Sequence, residues 1–163
     1  MESKKIHILI EASILLGLSV VFSCFAIFTL PQGGDISIAV LPILIFSYKR
    51  GTKNGILLSI GHGFLQFALK PFVINPLSFF LDYILSNIVL SFISHKKLWC
   101  SFFMSYVFRY FTYVLSGVLV WATLYSNTDN FLVYSMVYNA IYIGPEMILN
   151  FIILYFLKVK KYI

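Results

Sequence analysis

Apolar residues run almost unbroken over approximately 6–28, 36–48, 54–70, 77–94, 98–126 and 131–158, and short polar breaks separate the runs. The breaks carry turn chemistry: Pro31-Gln-Gly-Gly-Asp35, Lys49-Arg-Gly-Thr-Lys-Asn54, Lys70-Pro71, His95-Lys-Lys97 and Ser126-Asn-Thr-Asp-Asn130. This pattern predicts an all-α integral membrane protein, a six-transmembrane-helix bundle forming a single domain over residues 1–163. Two of the runs are shorter than the roughly 20 residues a simple span needs, so those helices are expected to be tilted, broken or partly re-entrant. Composition agrees: 60% of residues are hydrophobic, 18% aromatic and only 11% charged, against roughly a quarter charged in soluble domains.

Charge placement predicts the orientation. Lys4, Lys5, Lys49, Arg50, Lys53, Lys96, Lys97, Lys158, Lys160 and Lys161 fall at alternate ends of the runs, whereas the opposite breaks hold Asp35, Asp129 and a single base, Lys70. Short basic loops stay on the cytoplasmic side, so both termini are expected to be cytoplasmic in a multi-pass protein of the bacterial cell membrane. The net charge of +6 is then a topogenic signal and not a nucleic-acid patch, because the bases are scattered over four boundaries. Lys4-Lys5 and the apolar run ending near Cys24 superficially resemble a signal peptide, but Glu11 interrupts the core and Phe22 is too large for its place before a lipidated cysteine. Cys24 and Cys100 lie in or near different spans and imply no disulfide or metal framework.

Several chemistries lack their residues. Gly51-Thr-Lys-Asn-Gly55 has neither the length nor the order of a phosphate-binding loop, so this chain is not expected to hydrolyse ATP. His7, His62 and His95 stand apart from other metal ligands, and no metal or other cofactor is expected. No nucleophile, base and orienting group occur at a spacing that supports catalysis, so the chain is read as not an enzyme.

The ionisable residues inside the apolar runs are Glu11, Asp82, Arg109 and Glu146. Such residues need partners and mark functional sites by default. Counted along its helix, Asp82 lies about 8 Å from the outer end, while Arg109 and Glu146 lie nearer the middle or inner half and Glu11 nearer the cytoplasmic end. Arg109 therefore suits Glu146 better than Asp82, as a bundle-fixing ion pair, and Asp82 is left as an outward-facing acid for a cationic or hydrogen-bond-donating ligand. Aromatic faces suit such a ligand: Tyr113, Gly117 and Trp121 recur at every fourth position, as do Tyr134, Tyr138 and Tyr142, with Asn139 beside them. Chance and interfacial belts also produce such stripes in a chain with 11 tyrosines and 17 phenylalanines. Tyr134 and Asn139 point about 140° apart on an ideal helix, so both face one ligand only if the helix begins after Tyr134 or the ligand sits between those directions. On the first helix, Ser13 and Gly17 form a small-x-x-x-small pair that permits close approach of another helix.

Taken in order, Leu30-Pro-Gln-Gly-Gly-Asp-Ile-Ser-Ile-Ala-Val-Leu-Pro42, Arg50-Gly51, Gly61-x-Gly63-Phe-Leu-Gln66, Leu81-Asp82-Tyr83, Ser116-Gly117 and Tyr134-Ser-x-x-Tyr-Asn-x-x-Tyr-x-x-Pro-Glu146 resemble the thiamine-specific S-component of energy-coupling factor (ECF) transporters. The resemblance covers nearly the whole chain. It implies a substrate-binding membrane subunit that captures thiamine at the outer face and works with a transmembrane scaffold subunit and two ATPases. By similarity, Asp82 would hydrogen-bond the aminopyrimidine with Tyr83 beside it, Trp121 would stack on a ligand ring, and Tyr134 and Asn139 would contribute near the thiazolium and pyrimidine. The Pro31–Gly34 loop would be the lid, with Gly33 and Gly34 supplying backbone freedom. Ser13 and Gly17 would dock on the scaffold.

The chain departs from the family at Tyr113, where a histidine is usual; tyrosine still stacks and hydrogen-bonds, with different reach and polarity. His62 is expected to pack in the bundle and not to compensate. The alternatives are a related heterocycle such as a thiamine-precursor pyrimidine, a small intramembrane enzyme using Asp82 or Glu146 as acid or base, and an assembly or sensor subunit with no ligand of its own.

Overall fold

The computed structural model describes residues 2–30, 33–72, 76–121, 130–160 and 162, with the side chains of residues 2, 120 and 121 outside the description. Six helical segments occur among the described residues: α1 (Glu2–Cys24), α2 (Leu41–Arg50), α3 (Thr52–Leu69), α4 (Pro76–Ser91), α5 (Leu98–Ser116, continued by a π-helical turn over Gly117–Trp121) and α6 (Phe131–Val159). Each falls within or on one of the apolar runs. The stretches Ser3–Cys24, Leu98–Leu119 and Phe131–Val159 are long and apolar enough to cross a membrane. α2, with 10 residues, extends only about 15 Å, half a hydrocarbon core.

The helices dominate as the expected all-α class requires, with one short non-helical element added. Between α1 and α2 the chain forms a small antiparallel ribbon, β1 (Phe28–Thr29) with β2 (Asp35–Ile36), in which Phe28 faces Ile36 and Thr29 faces Asp35. Gly33 sits in its turn at φ +90°, a conformation that only glycine adopts without strain. The Gly33 amide donates to the Leu30 carbonyl at 3.1 Å, and the Leu30 amide donates to Gly34 at 2.7 Å. The apolar run expected from residue 36 therefore becomes helical only at Leu41, where Pro42 in the first turn suits a helix start.

The short α2 is the most buried element. Ile43, Leu44, Phe46 and Tyr48 join Leu58, Leu90, Phe102, Tyr106, Ile143 and Leu154 in the core. Small residues bring α3 and α4 against this centre. A Cβ on Gly55 would collide with Ser47 of α2 and press on Ser91 of α4, and one on Gly63 would collide with the Tyr83 carbonyl. Ser59 and Ser91 share a hydrogen bond of 2.6 Å across the α3–α4 contact.

The two ends of the bundle differ in character. At one end Lys158 meets the Tyr48 hydroxyl, His95 packs on the Tyr48 ring at 4.1 Å between centroids, and Lys49 donates to the Tyr162 carbonyl at 3.2 Å. Glu11 pairs with Arg50 at 2.6 Å near the junction of α2 and α3. At the other end the β-ribbon and the α3–α4 connection close over a cavity, and Lys70 pairs with Asp35 at 2.7 Å.

Candidate functional site

Two π-helical turns shape the cavity. In α4 the turn spans Phe80–Leu85 and carries Asp82 and Tyr83. A π turn closes hydrogen bonds five residues on, which displaces carbonyls from their usual amides. The side chains that follow repair this: Ser86 donates to the Asp82 carbonyl, and the Asn87 amide donates to the Tyr83 carbonyl at 2.6 Å. The second π turn, Gly117–Trp121, begins where Ser135 of α6 pushes against α5; a Cβ on Gly117 would collide with the Ser135 side chain, whose hydroxyl donates to the Val114 carbonyl at 3.0 Å. Gly117 thus makes room for α6, and it also lines the cavity.

Between these turns lies a cavity of ≈ 290 Å³, whose walls include Gly33, Asp82, Tyr83, Tyr113, Tyr134 and Asn139. That is close to the lower bound of roughly 300 Å³ for small-molecule pockets. Asp82 is half-buried there, and its Oδ2 accepts a hydrogen bond from the Ser116 hydroxyl at 2.9 Å. No lysine or arginine lies within ion-pair distance of Asp82 among the described residues. Of the ionisable side chains lining the cavity, Asp35 and Lys70 pair with each other, leaving Asp82 as the acid without a basic partner among the described residues.

The neighbouring groups have defined commitments. The Tyr83 hydroxyl donates to the Lys70 carbonyl at 2.7 Å and accepts from the Phe72 amide at 2.9 Å, so it ties down the α3–α4 connection and offers the cavity its ring. Asn139 donates to the Ser135 carbonyl at 2.8 Å and accepts from the Tyr142 hydroxyl at 2.6 Å. Tyr134 stacks on Tyr138 at 6.0 Å, Tyr138 meets Tyr142 edge-on at 5.8 Å, and Tyr142 meets Tyr113 at 5.9 Å, which makes a continuous aromatic wall. The hairpin rests on that wall. A Cβ on Gly34 would meet the Tyr142 ring at 2.6 Å, and one on Gly33 would touch the Phe72 ring at 3.3 Å.

Tyr134 and Asn139 both line the cavity despite their angular separation. α6 starts at Phe131, ahead of Tyr134, and the cavity spans the sector between the two side chains, touching Tyr134, Ser135, Tyr138, Asn139 and Tyr142. The stacking role expected of Trp121 and the lid residues Pro31 and Gln32 lie outside the described residues or side chains. Ser13 and Gly17 are exposed on α1, away from the cavity. His62 is buried beside Ser19, Nδ1 to Oγ 2.7 Å, and does not line the cavity. Arg109 and Glu146 pair at 3.5 Å in the interior, as their depths imply. The contributions of Ser116, Ser135, Gln66 and the Asp35–Lys70 pair were not singled out from the sequence; Asp35, Gln66, Ser116 and Ser135 do stand in the family-like motifs, but helical spacing alone does not bring them to one cavity.

A helical bundle with membrane-crossing segments, a cavity beneath a hairpin and walled by tyrosines, and an acid with no basic partner among the described residues define a membrane protein whose cavity suits a small ligand carrying positive charge or hydrogen-bond donors. Residues 9–163 match the thiamine transporter protein family (Thia_YuaJ), and the chain belongs to that family. It is 27% identical over 174 aligned positions to the thiamine transporter ThiT of Bacillus subtilis (strain 168), covering 94% of this chain and 91% of that protein. The solved structure of ThiT from Listeria monocytogenes has the same fold, with a TM-score of 0.80 at 20% identity over 94% of each chain.

Proposed function

We propose that this chain is the thiamine-binding S-component of an ECF importer, capturing the vitamin at the outer face of a bacterial cell membrane. The observation that carries the reading is Asp82, an acid on the wall of an aromatic cavity whose other charges cancel. Thiamine supplies what that wall lacks: an aminopyrimidine that donates hydrogen bonds to the carboxylate, and a thiazolium cation that tyrosine faces attract. Trp121 adds a stacking ring, Tyr83, Tyr113, Tyr134 and Asn139 complete the walls, and the hairpin turning at Gly33 is the lid.

In this reading the six helices all cross the bilayer, with both termini in the cytoplasm. The basic cluster around Lys49 and Lys158 then lies inside, and the cavity opens outside. The chain does not act as an enzyme; a scaffold subunit and two ATPases supply the energy. Ser13 and Gly17 form the docking face. A Cβ on Gly17 would meet nothing within 4 Å, which supports an α1 surface left open for another helix.

The test is a binding panel on the purified chain with thiamine, its phosphates and its isolated pyrimidine half. Tight, saturable thiamine binding without product formation is expected. Preference for the pyrimidine half would make the ligand a precursor heterocycle, and turnover without partner subunits would make the chain an enzyme.

A further inference from the structure

Tyr113 lines the cavity, and a buried arginine stands behind it. Arg109 Nη2 lies 3.3 Å from the Tyr113 hydroxyl, and its guanidinium carbon lies 5.4 Å from the centre of the Tyr113 ring. The same guanidinium donates through Nη1 to Asn87 Oδ1 at 3.2 Å, and Asn87 in turn donates to the Tyr83 carbonyl inside the π turn that carries Asp82. Glu146 holds Arg109 in place at 3.5 Å, and both side chains are almost fully buried. One arginine therefore braces the tyrosine wall directly and the acid wall through an amide.

The direction of these bonds matters. A guanidinium only donates, so the Tyr113 oxygen must accept from Arg109 and its own O–H hydrogen remains to be given away. Ser86, a hydroxyl that also interacts with Tyr113, has spent its hydrogen on the Asp82 carbonyl and offers only a resting acceptor. We propose that Arg109 is a positioning residue for ligand binding: it holds Tyr113 as a hydrogen-bond donor while Asp82 serves as acceptor, so that the two walls together read an aminopyrimidine edge, whose ring nitrogen accepts and whose amine donates. This assignment rests on the thiamine reading and gives the Arg109–Glu146 pair a use beyond fixing the bundle.

The experiment is a double-mutant cycle on the full chain in detergent, with thiamine affinity measured by calorimetry for wild type, Arg109→Lys, Tyr113→Phe and the double variant. Lysine keeps the charge facing Glu146 but lacks the planar fork. Arg109→Lys is expected to weaken thiamine binding roughly tenfold, and to cost little more once Tyr113 is phenylalanine. For a thiamine analogue with carbon in place of the ring nitrogen beside the amine, Arg109→Lys is expected to cost no affinity. A structural role would instead weaken both ligands alike. If the lysine variant does not fold, the pair Arg109→Met with Glu146→Gln, which removes both charges at similar volume, takes its place in the cycle. Equal losses with and without the Tyr113 hydroxyl, or no loss, overturn the proposal while leaving thiamine binding intact. Failure of the wild-type chain to bind thiamine overturns the functional reading and the proposal with it.

Discussion

Replacing Asp82 with asparagine separates ligand recognition from folding, because the two respond in opposite directions. The substitution keeps the side-chain shape and the acceptor that the Ser116 hydroxyl uses at 2.9 Å, but removes the negative charge. No cation pairs with that charge among the described residues, so the unliganded protein bears the cost of withdrawing a carboxylate from water without a compensating ion pair. The thermal midpoint of the unliganded variant is therefore expected to stay level or rise. Thiamine binding is expected to fall by the roughly 1.5 to 3 kcal/mol of a charge-assisted hydrogen bond, about 10- to 150-fold in Kd. Calorimetric titration in detergent, paired with a melting curve on the same preparation, reads both quantities. An unchanged affinity would remove Asp82 from the site. Parallel loss of affinity and stability would make it a structural residue.

Three further outcomes test other parts of the account. Ser13→Leu and Gly17→Leu point into open space or an exposed face, so both should fold and bind thiamine normally but co-purify poorly with the scaffold subunit; normal co-purification counts against the docking face. Gly34→Ala drives a methyl into the Tyr142 ring and should lift the hairpin, visible in stopped-flow as thiamine release several-fold faster, whereas an unchanged off-rate would deny the hairpin its role as a lid. Tyr113→His introduces the histidine that the family resemblance leads one to expect and should tighten thiamine binding, and an unaltered titration would place position 113 out of ligand reach.

The broad architecture was legible because burial in lipid demands long apolar runs, and each of the six runs contains a helix. The Arg109–Glu146 pair was legible for a related reason: charges at matching depth in an apolar interior have few other partners. The β-ribbon was not, since strands of two residues leave no alternating pattern to read. Nor were the π turns, which shift hydrogen bonding by one residue without altering composition. The α4 turn leaves a local trace: Ser86 and Asn87 follow Asp82 and Tyr83 at a spacing of four, where their side chains reach the carbonyls the turn displaces. The meeting of Ser116 with Asp82 depends on how α5 is rotated against α4, a relation that no single helix encodes. Gly117 shows the same limit, because its neighbours along the helix are aromatic but its neighbour in space is Ser135.

A structure of the chain with thiamine bound tests the central claim most directly. The account predicts one thiamine in the cavity beneath the Gly33 hairpin, its amine within hydrogen-bond distance of the Asp82 carboxylate and its thiazolium against the tyrosine wall of α6. Thiamine seated elsewhere, or within the cavity with Asp82 still bonded only to Ser116, would contradict it.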